Sequence, residues 1–268
     1  MEIDGANVLI TGGSRGIGEA MARRFSSEGA RVVLVARSQP EIQRLASELG
    51  GEWLAADLSD PDQVEALIPE AEERFGPIDI LVNNAGVETT AGLSEESIDT
   101  IRSVVRVNLE APILLTRAVI GGMHERGRGH LVYTSSLAGT TGFPGLATYA
   151  ATKAGLTNFV ASMRMELNDT NIGTTIVAPG PVDTRMWDAL EEETYNEGLL
   201  KRFNTLRLIP KTKPDRLAKR TVAAVKADRR HVRHPARLST NFWFNEAPRR
   251  VTEAVTVGVK FRPPVKPS

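Results

Sequence analysis

Short runs that are apolar at nearly every position recur along residues 1–185, and a stretch with helical spacing follows each of them. "NVLITGG", "RVVLVAR", "EWLAAD", "IDILVNNAG", "GHLVYTSS" and "GTTIVAPG" read as strands. Between them, "IGEAMARRFSSEGA" places Ile17, Ala20, Met21 and Phe25 on one helical face, and "PEIQRLASELGG" and "PDQVEALIPEAEERFG" repeat the pattern. Further helices are expected over roughly residues 94–106, ahead of "GHLVYTSS", and from near Tyr149 to about Leu167. A strand apolar on both of its faces is covered on both, which is the habit of parallel sheets. Right-handed crossovers then put helices on each side. The expected fold is α/β: a doubly wound Rossmann fold whose mostly parallel sheet has about seven strands.

Beyond Thr184 the rhythm loosens. "WDALEEETYNEGLL" reads as an exposed helix, and "KPDRLAKRTVAAVKADRR" as a stronger one with Pro214 in its first turn. "HVRHP" reads as a short edge strand ended by Pro235, with His231 and His234 as an exposed pair. The expected organisation is one Rossmann domain over 1–235, containing a substrate-binding segment at 186–213, and a basic, aromatic extension over 236–268. Residues 1–200 hold 15 Lys and Arg against 29 Asp and Glu, and residues 201–268 hold 18 against 4. The basic end could meet an anionic ligand, a membrane surface or a partner subunit, or pack on the acidic body of its own or a second copy, and the absence of any reading motif argues against nucleic acid. Three adjacent aromatics, Phe242, Trp243 and Phe244, cannot share one helical face, so an amphipathic membrane helix is not expected there. With no cysteine, disulfide frameworks, thiol catalysis and cysteine-held metals are excluded. No basic leader and no run of about 18 apolar residues is present, so a soluble, cytoplasmic protein is expected.

The first strand ends in "TGGSRGIGEA". Gly12, Gly16 and Gly18 permit a tight turn and let backbone approach a pyrophosphate, while the following helix offers free N–H groups and the positive end of its dipole. A fold choosing NAD usually carries an acid at the end of its second strand to grip the ribose 2′-hydroxyl. Here that strand ends "LVARS", with Ala36 and Arg37. Arg37, with Arg15 from the glycine turn, suits a 2′-phosphate, so NADP(H) is expected over NAD(H).

Tyr149 and Lys153 in "ATYAATKAG" lie four residues apart and so on one helical face. Together with "TGGSRGIG", "NNAG" (Asn83–Gly86), Asn108 in "VNL", "TSS" and "PGPVDT", in that order along the chain, they make the sequence resemble the short-chain dehydrogenase/reductase family over about residues 5–185. The resemblance implies hydride transfer between the nicotinamide and a ketone or secondary alcohol, without a metal. It makes Tyr149 the general acid/base. Free tyrosine ionises near about 10, and the resemblance has Lys153, together with the positive nicotinamide ring, lower that value, with Lys153 also bonding the nicotinamide ribose. Ser136, 13 residues before Tyr149, would orient the substrate oxygen, with Ser135 the neighbour to test against it. Asn108 would hold a water in a relay toward Lys153. The same resemblance assigns cofactor contacts to Gly12, Ser14, Arg15, Gly16, Ile17 and Gly18 in the turn, and to Arg37, Asp57 and Leu58 on the adenosine side. Asn84, Ala85 and Gly86 would pass beneath the cofactor, and Tyr149, Lys153, Pro179, Gly180, Val182 and Thr184 would surround the nicotinamide end.

The sequence departs from the family at its end. A "DGG"-like turn that packs in tetramers is missing, so a homo-oligomer is expected with dimer and tetramer both open. The four histidines, at 124, 130, 231 and 234, show no ligand spacing. Met186, Trp187, Leu199 and Leu200 hint at an apolar substrate without defining it. Two rival readings stay open at this point: the same chemistry with NAD(H), and a dinucleotide-binding sensor or scaffold without turnover.

Overall fold

A computed structural model describes residues 1–141, 143–184 and 211–235 of the chain. Every residue of β1 (Asn7–Thr11), β4 (Ile80–Asn83) and β5 (Gly129–Thr134) is buried, as their unbroken apolar character requires. β2 (Arg31–Ala36), β3 (Glu52–Ala55), β6 (Ile172–Pro179) and β7 (His231–His234) complete a seven-stranded sheet in the order β3-β2-β1-β4-β5-β6-β7. All six pairings are parallel. The doubly wound fold is therefore as expected, and the sheet is wholly parallel.

Alternation along each strand builds two cores. Leu9, Val33, Val35, Leu81, Leu131 and Ile176 face α3 (Pro61–Phe75), α5 (Ala111–Glu125) and α6 (Ala147–Glu166). Val8, Ile10, Val32, Leu34, Val82 and Val177 face α1 (Gly16–Ser27), α2 (Gln39–Leu49) and α7 (Pro214–Lys226). Neighbouring side chains on one strand thus serve opposite layers, which is why the central strands are apolar at most positions on both faces. Helix signals were local and readable: Gly50 ends α2 at φ 63°, and Pro61 and Pro214 open α3 and α7.

Two segments differ from the sequence reading. The helix expected over 94–106 begins at α4 (Ile98–Val105), where the Ser97 hydroxyl caps the Thr100 N–H at 3.0 Å. It then passes without a break through a π-helical turn, Arg106–Glu110, into α5. That turn carries Asn108. β7 is an edge strand as expected, but its histidines are not an exposed pair. His234 is buried near Arg216 and Arg220 of α7, which with burial hold its imidazole below the usual value. His231 is half-buried, its Nε2 3.2 Å from Arg164 Nη1. Among the described residues no helix is long and apolar enough to cross a membrane. Most of the substrate-binding segment at 186–213 and the whole of 236–268 lie outside the described residues.

Candidate active site

The sheet order reverses direction between β1 and β4, so their carboxyl ends splay apart and leave a crevice. A cleft of about 950 Å³ opens there. Its first wall is the glycine turn. Arg15 precedes α1 without any side chain capping the helix, so the N–H groups of the first turn face the cleft. Gly12 has φ +64°, and a Cβ on it would lie 2.8 Å from Ala85 Cα. A Cβ on Gly18 would lie 2.1 Å from the Gly12 carbonyl oxygen. The turn is therefore closed to any side chain at both places, and backbone forms the surface that a phosphate group would meet.

Asn84 holds this turn in place. Its Nδ2 donates to the carbonyls of Thr11 (3.1 Å) and Gly12 (3.3 Å), while its Oδ1 accepts from Thr134 (3.2 Å). The Thr11 hydroxyl oxygen accepts from the N–H groups of Asn84 and Ala85. Asn84 lines the cleft, and its amide joins the ends of β1, β4 and β5. Ser14, Arg15, Gly16, Ile17, Arg37, Asp57, Leu58, Ala85, Gly86, Pro179, Gly180, Val182 and Thr184 all line the cleft. Asp57 accepts from the Ser59 N–H and hydroxyl at 2.9 and 2.8 Å through one oxygen. Arg15 and Arg37 are exposed at the cleft edge and make no ion pair among the described residues. Such a cradle of backbone amides with two unpaired guanidiniums fits a dinucleotide carrying an extra phosphate.

At the other end, Ser136, Tyr149 and Lys153 come together. Successive residues after β5 point opposite ways. Ser135 turns into α6, where its hydroxyl donates to the Lys153 carbonyl (3.1 Å) and meets Thr157 Oγ1 (2.8 Å). Ser136 turns into the cleft, where it accepts from the Ala138 N–H at 3.1 Å and lines the same wall as the Tyr149 phenol, whose ionised form it favours. Lys153 is buried, its Nζ donating to the Thr134 carbonyl at 2.9 Å and lying 5.6 Å from the centroid of the Tyr149 ring. Burial lowers this ammonium to about 8, against an opposing pull from Glu88. Burial likewise pushes the Tyr149 phenol up to about 12; the Ser136 hydrogen bond opposes the rise and the Glu88 charge adds to it. Burial in the protein alone therefore favours the protonated phenol, while the lowering expected from Lys153 together with the nicotinamide ring concerns the cofactor-bound site. Burial is the dominant cause, and the Lys153 ammonium donates to the Thr134 carbonyl and flanks the ring.

Asn108 is fully buried. Its Oδ1 accepts from the Val87 N–H (2.9 Å), and its Nδ2 donates to the Val87 carbonyl (2.8 Å) and Thr152 Oγ1 (3.3 Å). The side chain clamps the loop after β4 at both faces of one residue. A Cβ on Gly86 would lie 3.4 Å from both Asn108 Oδ1 and Lys153 Nζ, in van der Waals contact with each.

Sequence reasoning missed Glu88. It lines the cleft two residues after "NNAG", half-buried, and its carboxyl is pushed up to about 7 by burial, against the pull of the Lys153 ammonium. The available signal was an acid directly after an apolar strand and its glycine turn, a place where charge is seldom buried without purpose. Thr11 and Thr134, which brace the turn, carried no signal beyond their position at strand ends.

Residues 6–194 match the family model described as short chain dehydrogenase. The chain is 35% identical over 195 residues to the 3-oxoacyl-(acyl-carrier-protein) reductase FabG of Vibrio cholerae, covering 72% of this chain and 80% of that one. It is 38% identical over 213 residues to nodulation protein G of Rhizobium sp. strain N33, covering 77% and 85%. Among solved structures, a metagenomic short-chain oxidoreductase in complex with NADP superposes with a TM-score of 0.70 at 32% identity, covering 87% of this chain and 98% of that one.

Proposed function

This chain belongs to the short chain dehydrogenase family of oxidoreductases, and on that premise we propose that it is an NADP(H)-dependent carbonyl reductase acting between a ketone and a secondary alcohol. The reading is carried by one observation: the Tyr149 phenol, with Ser136 on the same cleft wall and Lys153 flanking its ring, stands at one end of a cleft whose other end is an uncapped helix turn. NADPH, when bound, supplies the hydride. Arg15 and Arg37 hold its 2′-phosphate, and the amides of the glycine turn hold its pyrophosphate. Ser136 and Tyr149 grip the substrate oxygen from two sides. As charge grows on that oxygen, Tyr149 gives up its proton and Ser136 donates a second hydrogen bond. Lys153 keeps a positive charge beside the phenolate that remains. Asn108 positions the Val87–Glu88 backbone and abuts Lys153. The homologous FabG name and the NADP of the neighbouring structure support reduction with this cofactor. The protein is further proposed to work as a soluble cytoplasmic homo-oligomer, with 1–235 as its catalytic domain.

The test is a panel of ketones with NADPH and NADH, run on the parent and Tyr149→Phe. Turnover with NADPH should fall at least a hundredfold in the variant, while NADPH still quenches protein fluorescence with the parent affinity. A variant that reduces the ketones at the parent rate would remove Tyr149 as the acid, and equal turnover with NADH would remove the arginine argument.

A further inference from the structure

Glu88 is built into the cleft. The residue before it is clamped by Asn108 through both its N–H and its carbonyl. The residue after it, Thr89, donates to Glu96 Oε1 at 3.3 Å, and Glu96 Oε2 accepts from Thr148 at 2.6 Å, one residue before Tyr149. The backbone of Glu88 is thus tied on one side to the π turn and on the other to the start of α6. Its carboxylate lines the cleft with Tyr149 and Lys153 and is felt electrostatically by both. Yet among the described residues it accepts no hydrogen bond and joins no ion pair. Lys153 does not serve it, because that ammonium is committed to the Thr134 carbonyl. Arg15 and Arg37 belong to the glycine-turn wall and the β2 end.

A half-buried carboxylate without a partner carries a desolvation cost that a ligand can relieve. Burial already presses this group toward its neutral form, so a cation or a hydroxyl donor arriving beside it gains more than it would at a solvated acid. A second carboxylate arriving there would be repelled. We propose that Glu88 is a specificity-determining residue that takes an ammonium or hydroxyl donor carried by the substrate near its reacting carbonyl, and that it rejects a carboxylate at that place. The inference rests on the reductase reading for the position of the carbonyl, at Tyr149 and Ser136, and names the chemical class that site accepts.

Four methyl ketones that share the CH3–CO–CH2–CH2– arm make the probe. They are 4-(dimethylamino)butan-2-one, 4-hydroxybutan-2-one, hexan-2-one and 4-oxopentanoate, which carry a cation, a hydroxyl, no charge and an anion. With NADPH, kcat/KM should be highest for the amine and the hydroxy ketone and lowest for 4-oxopentanoate, with the amine ahead of the anion by about a hundredfold. In Glu88→Gln that ratio should fall at least tenfold while hexan-2-one is little changed. An unchanged ratio in the variant, or a parent enzyme that prefers 4-oxopentanoate, overturns the proposal. Should Glu88→Gln not fold, Glu88→Asp, which keeps the charge and shortens its reach, should lose part of the ratio, and a full ratio there also overturns it. Should none of the four turn over, the reductase reading fails separately. Binding of the same compounds to the protein–NADPH mixture, read by NADPH fluorescence, then decides: equal affinity for amine and anion sinks the assignment. A final arm compares NADP+ with NADPH. If Glu88→Gln weakens NADP+ alone and leaves the four ketones as they were, the carboxylate faces the nicotinamide and not the substrate.

Discussion

His130 sets a limit on the stability of this fold in mild acid. It lies on β5, 1% exposed, opposite Gly173 of β6. The Thr175 hydroxyl donates to the Arg229 carbonyl at 2.8 Å, so its oxygen accepts from His130 Nε2–H, also at 2.8 Å. This fixes the proton on Nε2 and leaves Nδ1 bare. Nδ1 faces Asp228 Oδ1 at 3.8 Å, but that aspartate is 70% exposed and gives little compensation. Burial therefore lowers the imidazole to about 4; Asp228 opposes the shift, and the charges of the amino terminus and Arg164 add to it. The unfolded chain titrates near about 6.5, so between these values it binds the proton that the folded chain refuses. Stability then falls as pH falls through that window, by about 3 kcal/mol in full and about 2 kcal/mol by pH 5. His130→Gln keeps a donor toward Thr175 and removes the titration. Urea unfolding at pH 7, 6 and 5, followed by circular dichroism, should show the parent losing about 2 kcal/mol more than the variant. The other histidines are common to both proteins and cancel. Equal losses, or a His130 proton resonance titrating at 6 or above, would refute the argument.

Three further substitutions separate structural from catalytic duty at the cleft. Asn108→Ala leaves the Val87 N–H and carbonyl without partners, so the unfolding free energy should drop by about 2–5 kcal/mol, as read by urea denaturation. A drop below about 1 kcal/mol would mean the clamp is dispensable. Ser136→Ala should keep the melting temperature and lose reductase kcat by about a hundredfold. Ser135→Ala should do the reverse, losing about 1 kcal/mol of stability with kcat kept, and the opposite pattern would exchange the roles given to the two serines.

The parts of this protein that were legible from sequence are those set by local chemistry. An apolar run such as "GHLVYT" has to be covered on both faces, and that requirement alone yields a parallel sheet with helices on each side. The glycine turn was legible for the same reason, since Gly12 and Gly18 mark where a Cβ would strike backbone. What could not be read is how side chains divide their hydrogen bonds. Asn84 and Asn108 both belong to motifs associated with cofactor and relay, yet their amides bind the protein's own backbone. Nothing in a one-dimensional string says whether an amide faces a ligand or a loop, because that choice depends on strands and turns distant in sequence. Glu88 is the complementary case. No pattern flagged it, and its importance arises only when β4, the π turn and α6 converge and leave one carboxylate without a partner. The tyrosine's environment completes the point: spacing placed Lys153 beside Tyr149, but burial and the Thr134 carbonyl decide where the ammonium aims. Motifs thus locate the reacting groups, whereas the proton affinities of those groups are set by residues outside the motifs.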